Sequence, residues 1–191
     1  MFEDDINTVS VAFCEEHRVP SDQCLLLVKY LTNYVDSEQK ALAALSVPTD
    51  GNTFSFTELG RKYGTDKVLH HRYDRFYPRY IEQYRSLPPG HAMLEIGVNR
   101  FYSLNMWLEY YPNAFIYCID IDIGMSGDRF EIFKADQGER DELKRIVDEG
   151  LKHPLFLIVD DASHYPQHQV LSFDVLFGAL MPGGTYIVED I

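Results

Sequence analysis

Leu155-Phe156-Leu157-Ile158-Val159-Asp160-Asp161-Ala162-Ser163-His164 is an apolar run that ends in two carboxylates, with a histidine three residues after the second. A short, continuous apolar run of this kind reads as a strand buried on both faces, as in a parallel sheet. The pattern half repeats near the C-terminus, where Thr185-Tyr186-Ile187-Val188 runs into Glu189-Asp190. Two such strands would gather three or four carboxylates and an imidazole at one edge of a sheet. Hard divalent cations take oxygen ligands, and an imidazole nearby can act as a general base.

Outward from this stretch the alternation is regular. Strands are expected over residues 93–98, 115–122, 131–136, 155–161 and 185–191. Helices are expected over residues 103–111, 139–149 and 167–180, the first stopped by Pro112 and the last by Pro182-Gly183-Gly184. Strands alternating with helices predict a Rossmann-like, doubly wound α/β fold with a mainly parallel sheet covered on both faces. Ligands of such sheets sit at the carboxyl ends of the strands, where the strand order reverses, and the acids lie at those ends.

Residues 1–50 are acidic and carry apolar residues at helix spacing, which predicts an N-terminal helical extension. Val47-Pro48-Thr49-Asp50-Gly51-Asn52 reads as a linker. Residues 57–86 are richer in Arg and Lys, with interleaved Tyr and Phe; residues 73–84 read as an amphipathic helix lying on the sheet, broken or kinked at Pro78.

Bulk composition excludes some roles. A net charge of −13 over 191 residues argues against a general nucleic-acid or anionic-membrane binder. Hydrophobic residues at 46% supply a real core. Three cysteines give no disulfide framework, the N-terminus has no signal-peptide order, and no apolar run is long enough to span a membrane. A cytoplasmic protein is therefore expected.

Individual residues invite chemical readings beside bland ones. In Leu94-Glu95-Ile96-Gly97-Val98-Asn99 a strand enters a tight turn, and Gly97 lets backbone approach a nucleotide closely. The loop that follows, Asn99-Arg100-Phe101-Tyr102, lacks the full glycine-rich pattern. Asp120 ends the next strand, where an acid commonly accepts from ribose hydroxyls. Asp136-Gln137 either contacts an adenine or caps the helix that follows. Asp161, Glu189 and Asp190 are candidate oxygen ligands for magnesium, and His164 is the candidate base. Cys14, His17 and Cys24 have the wrong spacing for a zinc site.

Taken in order, Gly64-Thr65-Asp66-Lys67, Leu94-Glu95-Ile96-Gly97-Val98, Tyr117-Cys118-Ile119-Asp120-Ile121, Ala135-Asp136-Gln137, Val159-Asp160-Asp161-Ala162-Ser163-His164 and Pro182-Gly183-Gly184-Thr185-Tyr186-Ile187-Val188-Glu189-Asp190 resemble class I S-adenosylmethionine-dependent methyltransferases. Within that class the likeness is to the metal-dependent sugar O-methyltransferases of macrolide biosynthesis, the mycinamicin enzymes among them. It covers residues 57–191. It implies that Glu95, Gly97 and Asp120 bind the cofactor, with Asp136 and Gln137 near its adenine and Thr65, Asp66 and Lys67 over it. It also implies magnesium at Asp161, Glu189 and Asp190, His164 as base, and a small hydroxylated, sugar-like acceptor. The sheet of the resembled enzymes continues beyond a fifth strand, so the expectation is either a core truncated there or a homo-oligomer or partner covering that strand's edge. The rival readings are a non-catalytic binding or scaffold module of the same fold and a nicotinamide-dependent oxidoreductase. The glycine-poor loop and the acidic strand ends disfavour the last.

Overall fold

The computed structural model describes residues 54–191. The expected helical extension over residues 1–50 lies outside the described residues.

Six strands form one sheet: β1 Ala92–Ile96, β2 Phe115–Asp120, β3 Met125–Gly127, β4 Phe130–Lys134, β5 Leu155–Asp160 and β6 Leu180–Val188. Their order is β3-β4-β2-β1-β5-β6. All neighbours pair in parallel except β3, which runs antiparallel to β4. From β1 the chain winds one way through β2 to β4 and the other way to β5 and β6. The order therefore reverses between β1 and β5, and a crevice opens at their carboxyl ends.

Helices cover both faces. α1 (Phe56–Tyr63), α2 (Asp66–Leu69), α3 (Tyr77–Ile81) and α4 (Tyr102–Tyr110) precede β2 in the chain; α5 (Arg140–Arg145) and α6 (Pro166–Leu176) follow β4. Side-chain alternation along the strands feeds two cores. Leu94, Ile96, Ile119 and Ile158 pack with Leu143, Ile146 and Leu176 of the later helices. The earlier helices bring an aromatic core: Phe56 stacks on Tyr77 at 5.0 Å, Trp107 on Tyr111 at 5.9 Å, and Tyr84 packs on Phe156 at 5.0 Å. Pairs of this geometry add about 0.5–1.5 kcal/mol each beyond area burial.

The Rossmann-like expectation holds, with local differences. The segment expected to be one helix over 73–84 is three short pieces: a 3-10 turn Tyr73–Arg75, α3, and a 3-10 turn Glu82–Ser86. Pro78 falls in the first turn of α3, where its missing N–H breaks no helical bond. α1 was not expected, although its capping box is legible: Ser55 accepts from Glu58 N, and the Glu58 side chain accepts from Ser55 N. β6 starts earlier than expected. Leu155 pairs with Leu180 and Leu157 with Thr185, so Met181, Pro182, Gly183 and Gly184 bulge opposite Phe156. The short antiparallel β3 was also missed; three residues are too few to show a period. The residues after Glu139 continue past α5 as a π turn, Ile146–Gly150.

The register builds the site. Ile96 on β1 pairs with Asp160 on β5, which pairs with Val188 on β6. The ladder continues one step further: Asp161 N donates to Ile96 O at 3.0 Å and Glu189 N to Asp160 O at 2.9 Å. Gly97, Asp161 and Glu189 are thus brought to the same sheet edge. Gly97 has φ +94, and a Cβ there would stand 2.2 Å from Asp161 O, so only glycine permits this approach.

Candidate active site

A cleft of about 690 Å³ opens over the carboxyl ends of the central strands. That is ample for a nucleotide-sized ligand. Its lining includes Thr65, Asp66, Gly97, Asp120, Asp136, Gln137, Asp161, His164 and Asp190. Nine of the residues expected at the site therefore face one cleft. The other three, Lys67, Glu95 and Glu189, are buried below it, at 0%, 0% and 3% exposure.

Those three form the site's floor. Lys67 Nζ lies 3.0 Å from both Glu189 carboxylate oxygens and 3.3 Å from Glu95 Oε1, and it also hydrogen-bonds Asp161. Tyr77 donates to Glu189 and Ser103 to Glu95 Oε2 at 2.7 Å. One ammonium faces three carboxylates. Burial alone would lower the Lys67 pKa, but Glu95, Glu189 and Asp161 outweigh it and hold the amine charged. The acids move the other way: burial raises both Glu95 and Glu189 above the usual carboxylate range, with Lys67 opposing in both cases and Asp161 adding to the rise. Crowded, buried acids of this kind resist ionisation, and a cation seated beside them would relieve that resistance.

Above the floor, Asp161, His164 and Asp190 each offer one ligand atom within 4.8 Å of the others. His164 Nε2 stands 3.9 Å from Asp161 Oδ1 and 3.7 Å from Asp190 Oδ2. The donor set fits a hard cation, since two carboxylates converge with further carboxylates behind them. Asp190 comes to this group while Glu189, its chain neighbour, bonds Lys67; β6 ends at Val188, and the left-handed backbone of Asp190, φ +53, turns the chain between them. Sequence reasoning grouped the two as equal ligands; the structure separates them.

The part of the cleft around Gly97, Asp120 and Asp136 is built from loops stapled together. Asp120 Oδ2 accepts from Val98 N at 3.0 Å, and Oδ1 accepts from Asp122 N and Ile123 N at 2.9 and 3.1 Å. A carboxylate offers about four acceptor positions, so one remains for a ligand hydroxyl. Asp136 Oδ1 accepts from Gly138 N at 2.7 Å, a turn-capping role, while the residue still lines the cleft. Gln137 bridges two loops: its Nε2 donates to Asp160 Oδ1 at 2.6 Å and its Oε1 accepts from Ser163 Oγ at 2.9 Å. Asp160 is fully buried, and burial raises its pKa to about 6.

Sequence reasoning missed Tyr73, His71 and Tyr77, which touch Asp190 or Glu189. They sit in the Tyr- and Arg-rich segment read as sheet packing. No periodicity distinguishes a tyrosine that packs from one whose hydroxyl reaches a carboxylate more than a hundred residues away.

No family model matches the chain. An 8-demethyl-8-α-L-rhamnosyl tetracenomycin-C 2′-O-methyltransferase of Streptomyces olivaceus is 32% identical over 142 residues, covering 70% of this chain and 36% of that protein. Mycinamicin VI 2″-O-methyltransferase of Micromonospora griseorubida is 29% identical over 174 residues, covering 86% of this chain and 43% of that protein. Among solved structures, the MycE methyltransferase of the mycinamycin pathway, in complex with Mg, SAH and mycinamycin VI, superposes with a TM-score of 0.66 at 30% identity, over 73% of this chain and 40% of that one. The chain spans about two-fifths of the length of these relatives, between 36% and 43%.

Proposed function

The chain is a homologue of the macrolide-type sugar O-methyltransferases and shares their Rossmann-like fold, and from that premise we propose that it serves O-methyl transfer from S-adenosylmethionine to a hydroxyl of a sugar-like acceptor, with magnesium as the metal. The observation that carries this reading is the convergence of Asp161, Asp190 and His164 at the rim of a cleft on the switch point of the sheet.

When bound, the cofactor supplies an electrophilic sulfonium methyl and the dication acidifies the acceptor hydroxyl. The chain's own residues do the rest. Asp161 and Asp190 hold the dication, with Glu189 behind them, tied to Lys67. A hard cation prefers carboxylate oxygen to imidazole, which leaves His164 free to take the acceptor's proton at Nε2. Its side chain is 40% exposed, so an acceptor can reach it. Gly97, Asp120, Asp136, Gln137, Thr65 and Asp66 line the cleft and would take the nucleotide. Glu95 and Lys67, buried beneath, fix the floor.

The acceptor is proposed by chemistry shared with the relatives, whose names specify sugar hydroxyls of rhamnosyl tetracenomycin and mycinamicin VI. Among the described residues no helix is long and apolar enough to cross a membrane. We place the protein in the cytoplasm, where the free, buried thiol of Cys118 is at home. β6 is paired on one side only among the described residues, and a partner or second copy on its open edge is part of the proposal.

Isothermal titration with S-adenosylhomocysteine, with and without magnesium, tests the reading. Binding of both is expected. A protein that binds neither is a scaffold of the same fold, and heat on adding NAD instead would point to the oxidoreductase.

A further inference from the structure

Glu189 and Asp190 are consecutive, have different partners, and are both met by side chains from one short stretch. Lys67 and Tyr77 hold Glu189. Asp190 is held by the residues between them: Tyr73 Oη donates to Asp190 Oδ1 at 2.6 Å, and His71 Nδ1 lies 3.2 Å from the same oxygen. The His71 and Tyr73 rings stack, centroids 5.2 Å apart and 23° from parallel, so the imidazole braces the tyrosine ring. The other oxygen, Oδ2, is the one that approaches His164, at 3.7 Å. The two oxygens of Asp190 are therefore sorted, one towards the aromatic segment and one towards the cleft. Asp190 also has φ +53, a backbone conformation costly for a residue with a side chain unless its surroundings impose it.

We propose that Tyr73 is a positioning residue for the cation seat: its hydroxyl, backed by the stacked His71, fixes the rotation of the Asp190 carboxylate so that Oδ2 is presented to the dication. This rests on the proposed function and deepens it. An unheld carboxylate rotates about its terminal bond at little cost, and a ligand oxygen left to rotate must be ordered each time the ion binds. A partner outside the coordination sphere that spends one oxygen orients the other, and loss of such a partner typically weakens metal affinity 10- to 100-fold. The segment that sequence reasoning took for sheet packing becomes the outer layer of the metal edge.

The test is calorimetric titration of the full chain with magnesium chloride, without acceptor or turnover, for the wild type and Tyr73→Phe. The substitution keeps the ring and its stack and removes only the hydroxyl. Magnesium affinity is expected to fall by about 10- to 100-fold. S-adenosylhomocysteine affinity in chelator-treated buffer is expected to stay within about twofold, because Tyr73 does not line the nucleotide end. Magnesium affinity within about twofold of wild type, with a lowered melting temperature, would make Tyr73 a packing residue and overturn the inference alone. A wild type that takes up no magnesium would overturn both the inference and the metal reading beneath it.

Discussion

His164 Nε2 and Asp190 Oδ2 lie 3.7 Å apart, and both residues hold left-handed backbones, with φ 57 and φ 53. Non-glycine residues in this region cost about 1–3 kcal/mol each and persist where the surroundings over-determine them. Here the surroundings are a bonded floor of Lys67 and three carboxylates on one side and the Tyr73–His71 pair on the other. The strain lies where two loops must aim side chains at a common point.

Replacing His164 with Asn removes the base yet suits the left-handed backbone, which asparagine tolerates better than most residues. Turnover should fall by roughly 100- to 10,000-fold, the range of general-base contributions. S-adenosylhomocysteine binding and the melting temperature should be preserved. Loss of cofactor binding in this variant would contradict the role assigned to His164.

Lys67→Met should be among the most damaging single changes in the described residues. It leaves Glu95, Asp161 and Glu189 without their shared ammonium. Breaking a buried ion pair from one side costs about 3–5 kcal/mol. Adding Glu189→Gln removes one of the stranded charges and should recover part of the loss. Denaturant unfolding in chelator-treated buffer reads both variants; equal losses would mean Lys67 acts by packing and not by charge.

Asp160 should give stability a pH dependence of identifiable sign. Its folded pKa, about 6, is raised by burial above the ordinary aspartate value of 3.8. The folded state thus binds the proton more tightly than the unfolded state does. The stabilisation is complete below about pH 4, declines as pH rises and is gone above about pH 6. The span is at most about 3 kcal/mol, two pKa units at 1.36 kcal/mol each. In chelator-treated buffer, Asp160→Asn should remove this component, so the stability difference between variant and wild type shifts in the variant's favour from pH 4 to 6. A difference flat across that window would show that burial does not perturb Asp160.

Arg129 closes the end of α4. Its guanidinium donates to Leu108 O at 2.8 Å and Pro112 O at 3.0 Å, with Tyr111 O at 3.2 Å. These carbonyls at the helix terminus and the following turn lack helical partners. Arg129→Ala should cost about 1.5–3 kcal/mol in urea unfolding, the range for hydrogen bonds to charged groups. Lys at this position should recover only part, because an ammonium cannot fork among several acceptors. Full recovery by Lys would reduce the role of Arg129 to its charge.

The strand-helix alternation after residue 92 was legible because buried parallel strands are written as apolar runs, and every such run matched an observed strand, within two residues for all but β6, which starts at Leu180 and not at residue 185. The short β3, the bulge at Met181–Gly184 and the broken helix around Pro78 were not, since none imposes a period on the sequence. At the site, nine expected residues share one cleft because a residue that ends a parallel strand must lie at the carboxyl edge. The placement of Lys67 was not legible. It was expected over the cofactor and lies instead with three carboxylates, a pairing that joins elements 28 to 122 residues away.

Residue order alone determined the architecture and the edge on which the chemistry gathers, because burial on two faces and strand polarity are local consequences of composition. Only the tertiary structure decided which acid faces the cleft and which is spent on Lys67, and which tyrosine hydroxyl reaches Asp190. Those choices depend on side-chain direction and on charges brought together across the whole chain, and distance in space is not written in distance along the sequence.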